Sequence, residues 1–453
     1  MQAVDRPNTT LANAVAGTGQ DAARPLGRHF TLLQIAGLLT SVGTRSGQLA
    51  VAWWVLGESG NPAVFAGFIA LGTAGEVAAR GMLGWFGDRY QRLPLLRVCY
   101  LVSLSCAGLL TALAVSGAYW PSAIAVSLVV IGICNGVREP LQMSLIRDFL
   151  PPDLVAVGVR RRAAVNSSSA LLGPAIGGVL ITLVGHRGTL VANVIGVAVG
   201  LLLLTMVVNR SEPAQPQGSE SWWTGTTRGL RALFAVTPER HLALMTLVVN
   251  FALYPMFSVL VPTIVHGGFA AEGWLIGLLE GAFAAGLLLG SLGLVARVAG
   301  RYGRDRAVMV GFVLVGASMI ATGLCAYAGD MARTLLISVG PVSLALGGIG
   351  LTMVTINTGT LRSLASPQAF RNRLAAGAFF ISGLAIPLGT LSSGAMSKIA
   401  SEEAAMVVLG LLVLLAAAIG MRSHALVEAL RLPDEEMVGA YQRRYPDAFR
   451  NHR

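Results

Sequence analysis

The chain has 453 residues, 54% of them hydrophobic and only 12% charged, with a formal net charge of +11. So little charge cannot cover the surface of a water-soluble protein of this size, and a mean hydropathy of +0.67 calls for a surface that faces lipid. The positive charge does not signal nucleic acid, because the arginines are spread over separate loops and form no contiguous basic face with aromatic platforms.

Residues 1–29 are polar, contain no apolar core of a cleavable signal, and are expected to form a cytoplasmic N-terminal tail. Apolar runs long enough to cross about 30 Å of hydrocarbon then recur near 30–56, 63–86, 94–116, 121–144, 163–185 and 188–209. They predict a six-helix bundle over 30–209. The polar stretch 210–240 follows, and its beginning, rich in Ser, Glu, Pro, Gln and Gly, reads as a flexible cytoplasmic linker. Within it, Trp222 to Val236 mixes Trp, Leu and Phe with Arg228 and Arg231, which fits either a short amphipathic helix on the membrane surface or an unstructured tether. Six further runs near 241–265, 273–296, 307–328, 333–359, 375–397 and 403–421 predict a second bundle over 241–421, with a cytoplasmic tail at 422–453. Barrel strands are shorter and alternate in polarity, so the fold class is an all-α membrane protein with twelve transmembrane helices.

Basic residues mark one side of the membrane. Arg89, Arg92 and Arg97, then Arg147 with Arg160, Arg161 and Arg162, then Arg297, Arg301, Arg304 and Arg306, then Arg362, Arg371 and Arg373 occupy alternate loops. The intervening loops hold little beyond Arg187, Arg333 and Lys398. This positive-inside pattern orients both termini toward the cytoplasm, and the expected location is the cell (inner) membrane.

The two halves repeat. Arg89 and Arg92, after the second helix, are echoed by Arg301 and Arg304 after the eighth, 212 positions on, and Pro174 in the fifth helix by Pro387 in the eleventh, 213 positions on. Six being even, equivalent helices point the same way, so the bundles are parallel repeats. Cys99, Cys106, Cys134 and Cys325 all lie in apolar runs without metal-ligand spacing and read as small core residues. No metal, cofactor, nucleophile–base set or phosphate-binding loop is expected, which excludes an enzyme.

The loop Gly84-Trp85-Phe86-Gly87-Asp88-Arg89-Tyr90-Gln91-Arg92 has the form G-x-x-x-D-R-x-x-R, and with it the whole chain resembles the major facilitator superfamily. That resemblance implies a gating role for Gly84, Asp88, Arg89 and Arg92, latching the cytoplasmic gate in the outward-facing state; an ordinary solvated charge cluster is the bland alternative. In the second copy Gly300 replaces the acid. Gly173-Pro174-Ala175-Ile176-Gly177-Gly178 resembles the G-P-x-x-G-G element of antiporters in that superfamily. Its proline can bend the helix, and Gly173, Gly177 and Gly178 allow close packing, antiporter or not. Phe30 to Leu56, Gly136 to Pro151 with Pro140, and Asn166-Ser167 are similar to the branch of enterobactin-type siderophore exporters, which implies proton-driven export of a small molecule.

Ionisable residues inside spans are expensive, and therefore candidates for function. They are Arg45, Glu76, Arg80, Arg138, Glu139 and Glu280. Arg45 shares a helix face with Ser41 and Gln48. It is suited to an acidic substrate group, or else to a helix-locking pair with Glu76 or Glu139. Glu76 and Arg80 stand four apart, the spacing of a local ion pair. Arg138 shares a face with Asn135 and Gln142, while Glu139 projects about 100° away, so one of the two faces the cavity better. Glu280 has no basic neighbour within a turn; with Glu76 it is a candidate proton carrier, or else it faces water in an outer vestibule. Relatives carry an acid just after the glycine of helix one, whereas here Gly43 is followed by Thr44 and Arg45.

These residues predict a monomeric secondary transporter that exports an anionic, siderophore-like compound against protons by alternating access. Aromatic Trp53, Trp54, Tyr254 and Phe257 offer faces for lipophilic drugs, the alternative substrate class. A membrane scaffold or sensor acting through the 422–453 tail is the remote alternative. Expected partners are the small-molecule substrate, protons and the lipid bilayer.

Overall fold

A computed structural model of the chain describes residues 27–87, 91–151, 154–208, 222–268 and 273–449. Among them every regular element is helical. The first four are α1 (Arg28–Ser59), α2 (Pro62–Gly87), α3 (Arg92–Ser116) and α4 (Pro121–Phe149). α5 (Val155–Thr205) is one helical run broken at Gly185, whose φ of 69° and ψ of 179° turn the chain back, so it contains two crossings. A side chain at that φ would be strained, and glycine is not.

After α6 (Trp222–Ala235), α7 begins as Thr237–Pro255, widens into a π-helical turn over Met256–Leu260 and continues as Val261–Gly268. Such turns take up helical mismatch, here just after Pro255. α8 likewise passes from Gly273–Leu289 through a π turn, Gly290–Leu294, to Val295–Tyr302. The remaining crossings are α9 (Arg304–Ala326), α10 (Ala332–Ala365), α11 (Gln368–Ile399) and α12 (Glu402–Gly420).

Caps follow from sequence. Pro121 opens α4, Gly60 and Gly117 close α1 and α3 in the left-handed conformation, and the Ser401 hydroxyl accepts from Ala404 N at 3.2 Å to start α12.

Ten stretches of the described residues are long and apolar enough to cross a membrane, one of them the run that Gly185 divides. α1 is 32 residues long, but Gln34, Thr40, Arg45 and Gln48 dilute its hydropathy. With α1 and both arms of α5, the fold is twelve crossings in two six-helix bundles. Leu101, Leu109, Val126, Ile195, Leu202, Val342 and Leu415 point outward and are exposed. In a bilayer that exposure carries no hydrophobic cost, since lipid tails are as apolar as leucine.

Inside the first bundle, Leu33, Tyr100 and Leu145 centre one core cluster. The core of the second bundle is larger and continues past α12 into the tail, taking in Leu426, Leu430, Met437 and Tyr441. Residues 424–449, including α13 (His424–Arg431), are thus folded against the bundle. The Trp222 to Val236 stretch is helical in α6, and its Ala232 and Leu233 are buried against Ala243, Leu374 and Ala378 of α7 and α11. That apolar edge therefore packs on protein.

Candidate functional site

Between the bundles lies a cavity of roughly 350 Å³, walled by α1, α2, α4 and α5 on one side and α7 and α8 on the other. Of the sequence-predicted residues, Arg45, Gln48, Glu76 and Glu280 line it, joined by Asn250 and Tyr254. Arg45 and Gln48 are exposed to the cavity, as an arginine in the middle of a helix must be to keep its charge hydrated.

The Gly173–Gly178 element sets Arg45 in place. Gly173 lies against the Arg45 side chain, where an added Cβ would come within 2.6 Å of the arginine Cβ. Ser46 Oγ donates to Gly173 O at 2.9 Å, fixing α5 on α1, and Pro174 itself lines the cavity. Gly178 abuts α8 at Gly273 and Gly277, one turn before Glu280.

Arg45 pairs with neither Glu76 nor Glu139, so the helix-locking alternative read from the sequence is not formed; both acids turn to Arg80. No hydrogen bond or ion pair among the described residues holds it, and it lines the same cavity as Glu280. Glu280 faces the central cavity, not an outer vestibule. A guanidinium from one bundle and a carboxylate from the other thus share the same space without closing on each other.

Glu76 has its own partner. Arg80 Nη2 lies 2.6 Å from Glu76 Oε1, as the four-residue spacing predicted, and 3.2 Å from Glu139 Oε2. Asn166 Nδ2 donates to Glu139 Oε1 at 3.3 Å, so the network spans α2, α4 and α5. It holds two carboxylates against one guanidinium.

Arg138 is a second correction. It does not line the cavity; its guanidinium sits over the Tyr100 ring, 5.8 Å from the centroid, inside the first bundle. Gln142 on the same face of α4 donates to Tyr100 Oη at 2.9 Å and accepts from buried Arg162. Having used this face for internal packing, α4 turns Glu139 toward Arg80.

Of the loop motif, Gly84 falls in α2, while Asp88 and Arg89 lie outside the described residues. Arg92 Nη1 donates to Asp148 Oδ1 at 2.7 Å, tying the start of α3 to the end of α4.

The end of the cavity nearest Gly185 is shut. Trp53 meets His266 edge to face, Trp274 N donates to Thr182 Oγ1 at 3.1 Å, and Gly394 of α11 packs on Ala63 and Ala66 of α2. Toward the end at which α1 begins and α12 ends, Arg80 and Glu139 are 46% and 48% exposed. Trp53 belongs to the closure near Gly185, Trp54 stacks on His186 within the first bundle, and Tyr254 and Phe257 face the cavity. Asn250 was missed from sequence; its signal was the four-residue spacing of Asn250, Tyr254 and Ser258 along one face of α7.

Residues 34–390 match the Major Facilitator Superfamily. No curated protein sequence matches the chain. Among solved structures, the chain is similar to the nucleoside transporter NupG, with a TM-score of 0.68 at 14% identity, covering 87% of this chain and 99% of that one. It is similar also to a bacterial homologue of the iron transporter ferroportin in an inward-facing state, with a TM-score of 0.67 at 16% identity, covering 90% of this chain and 100% of the other. The peptide transporter POT in complex with sulfate gives a TM-score of 0.67 at 13% identity, over 91% of this chain and 99% of that one. At such identities the likeness is one of fold.

Proposed function

The chain belongs to the Major Facilitator Superfamily, and from that premise we propose that it exports a small, acid-bearing, siderophore-like molecule in exchange for protons. The observation that carries this reading is Arg45: a cavity guanidinium that no hydrogen bond or ion pair among the described residues holds is open to a carboxylate or catecholate.

The sign of coupling constrains the substrate. Protonating Glu280 leaves Arg45 uncompensated and favours any pure anion, so such a substrate would travel with the proton. Exchange needs competition. The substrate must therefore also offer Glu280 a hydrogen-bond donor or a cationic group, which the incoming proton displaces. With the termini in the cytoplasm of an inner membrane, the shut end faces outward and the cavity loads from within. The bundles then rock to release substrate outside as Glu280, or Glu76 in its network, takes up a proton.

Walls that include Phe68, Tyr254, Phe257 and Phe283 support a second reading, efflux of lipophilic cations that pair with Glu280 alone. Everted vesicles containing the full chain separate the two. An imposed pH gradient should drive uptake of an iron-free catecholate chelator in preference to a lipophilic dye cation, and Glu280→Gln should abolish the response. Uptake of neither, with Glu76→Gln and Glu280→Gln behaving like the parent, would overturn proton coupling through these residues.

A further inference from the structure

The two halves repeat their basic loop but differ in how they anchor it. In the first, Arg92 takes its carboxylate from Asp148 at the end of α4. Its counterpart is Arg304, 212 positions on, at the start of α9. The same offset carries Asp148 to Thr360, and α10 contains no Asp or Glu anywhere along its length. By sequence, Arg304 has lost its partner.

In the fold it has another. Arg304 Nη2 donates to the Asp434 carboxylate and Nη1 to Leu432 O at 3.4 Å, both from the segment after α12. Beside it, Arg431 Nε lies 2.8 Å from Asp305 Oδ2. We propose that the C-terminal segment is a working part of the second bundle, and that Asp434 supplies to Arg304 the carboxylate that Asp148 supplies to Arg92.

Three further contacts carry the segment across the bundle's end. Gly439 N donates to Leu364 O at 3.0 Å, at the end of α10. Tyr441 Oη donates to Glu239 Oε1 at 3.1 Å, at the start of α7, and Arg362 Nε approaches Glu239 Oε2 at 2.8 Å. Phe449 packs edge to face on Phe370 of α11. Leu426, Leu430, Met437 and Tyr441 are at most 2% exposed, so apolar burial supplies most of the docking energy. Asp434 is 65% exposed, and such an ion pair is weak alone. Its role is register: it fixes the docked segment to the loop between α8 and α9. One segment thereby joins the near ends of α7, α9, α10 and α11, and they move as a unit when the bundles rock.

The test uses the full chain in detergent with Met437→Cys, a buried position in the segment, labelled by a membrane-impermeant maleimide. Arg304→Gln or Asp434→Asn should each speed labelling by roughly two- to fivefold, the range of an exposed ion pair. Asp434→Glu should leave it slow, and Arg304→Asp combined with Asp434→Arg should restore the parental rate. Arg92→Gln, on the other bundle, should leave it unaffected. Unchanged labelling in both single variants, or no recovery in the reversed pair, would overturn the assignment. Neither single change removes apolar contact, so loss of folding is not the expected outcome of either.

Discussion

Trp53 and His266 meet edge to face with ring centroids 4.6 Å apart, joining α1 of the first bundle to α7 of the second. They close one mouth of the cavity together with the glycine contacts of α5 on α8 and of α11 on α2. Alternating access requires that this closure be reversible, and glycine is what makes it tight. A Cβ at Gly178 would lie 2.6 Å from Gly273 O and 3.1 Å from Gly277 N, both backbone atoms that cannot swing aside. Gly178→Val should therefore wedge α5 from α8 and favour the state open at that end. Spin labels at Asn61 and Lys398 should report a longer-distance population in the variant; an unchanged distribution would count against the closure.

Arg45 makes a graded prediction. If its guanidinium receives an acidic group, Arg45→Gln should weaken binding of a catecholate chelator by roughly tenfold or more, the worth of a charged hydrogen bond. Arg45→Lys should keep part of the affinity, because it preserves the charge but not the planar fork. Titration calorimetry on purified protein checks both. Equal affinities for all three proteins would mean that the cavity binds its substrate elsewhere.

The Glu76–Arg80–Glu139 network predicts a non-additive pair of substitutions. Arg80→Gln leaves two carboxylates of α2 and α4 near each other without their shared cation, and should lower stability by up to about 1 kcal/mol, the range of a half-exposed pair. Adding Glu139→Gln removes one of the two charges and should recover part of that loss. Thermal midpoints in detergent measure the cycle, and strictly additive shifts would show that Arg80 does not bridge the two.

Tyr441 adds a pH dependence. Burial, with the Glu239 carboxylate beside it, holds its phenol well above the ordinary tyrosine range. In the unfolded chain the phenol ionises near pH 10, whereas in the docked segment it stays protonated, so stability is retained below about pH 10 and falls as pH rises beyond it. The thermal midpoint of the parent should drop above that pH more steeply than that of Tyr441→Phe. Parallel curves would refute a buried, protonated Tyr441.

Much of the architecture was legible in the residues. Apolar runs of membrane length, alternate basic loops and the 212-residue echo of Arg89 and Arg92 yield twelve crossings in two halves. Local rules also served: the spacing of Glu76 and Arg80 gave their ion pair, and Gly173 to Gly178 gave a close-packing surface. Hydropathy could not say which way Arg138 and Glu139 point, because a helix wheel fixes only the angle between two side chains. The direction comes from what α4 packs against, and here Tyr100 and Gln142 claim the Arg138 face.

Spans, topology and repeat are properties of the chain taken a helix at a time, since each crossing must satisfy its own backbone hydrogen bonds within lipid and cover itself with apolar side chains. Sequence therefore determined them. The cavity shared by Arg45 and Glu280, the bridge from Arg80 to Glu139 and the replacement of a helix acid by Asp434 involve residues between 59 and 235 positions apart. Only the tertiary structure decided those, because charge partners are chosen by distance in space, and that distance exists only once the helices have packed.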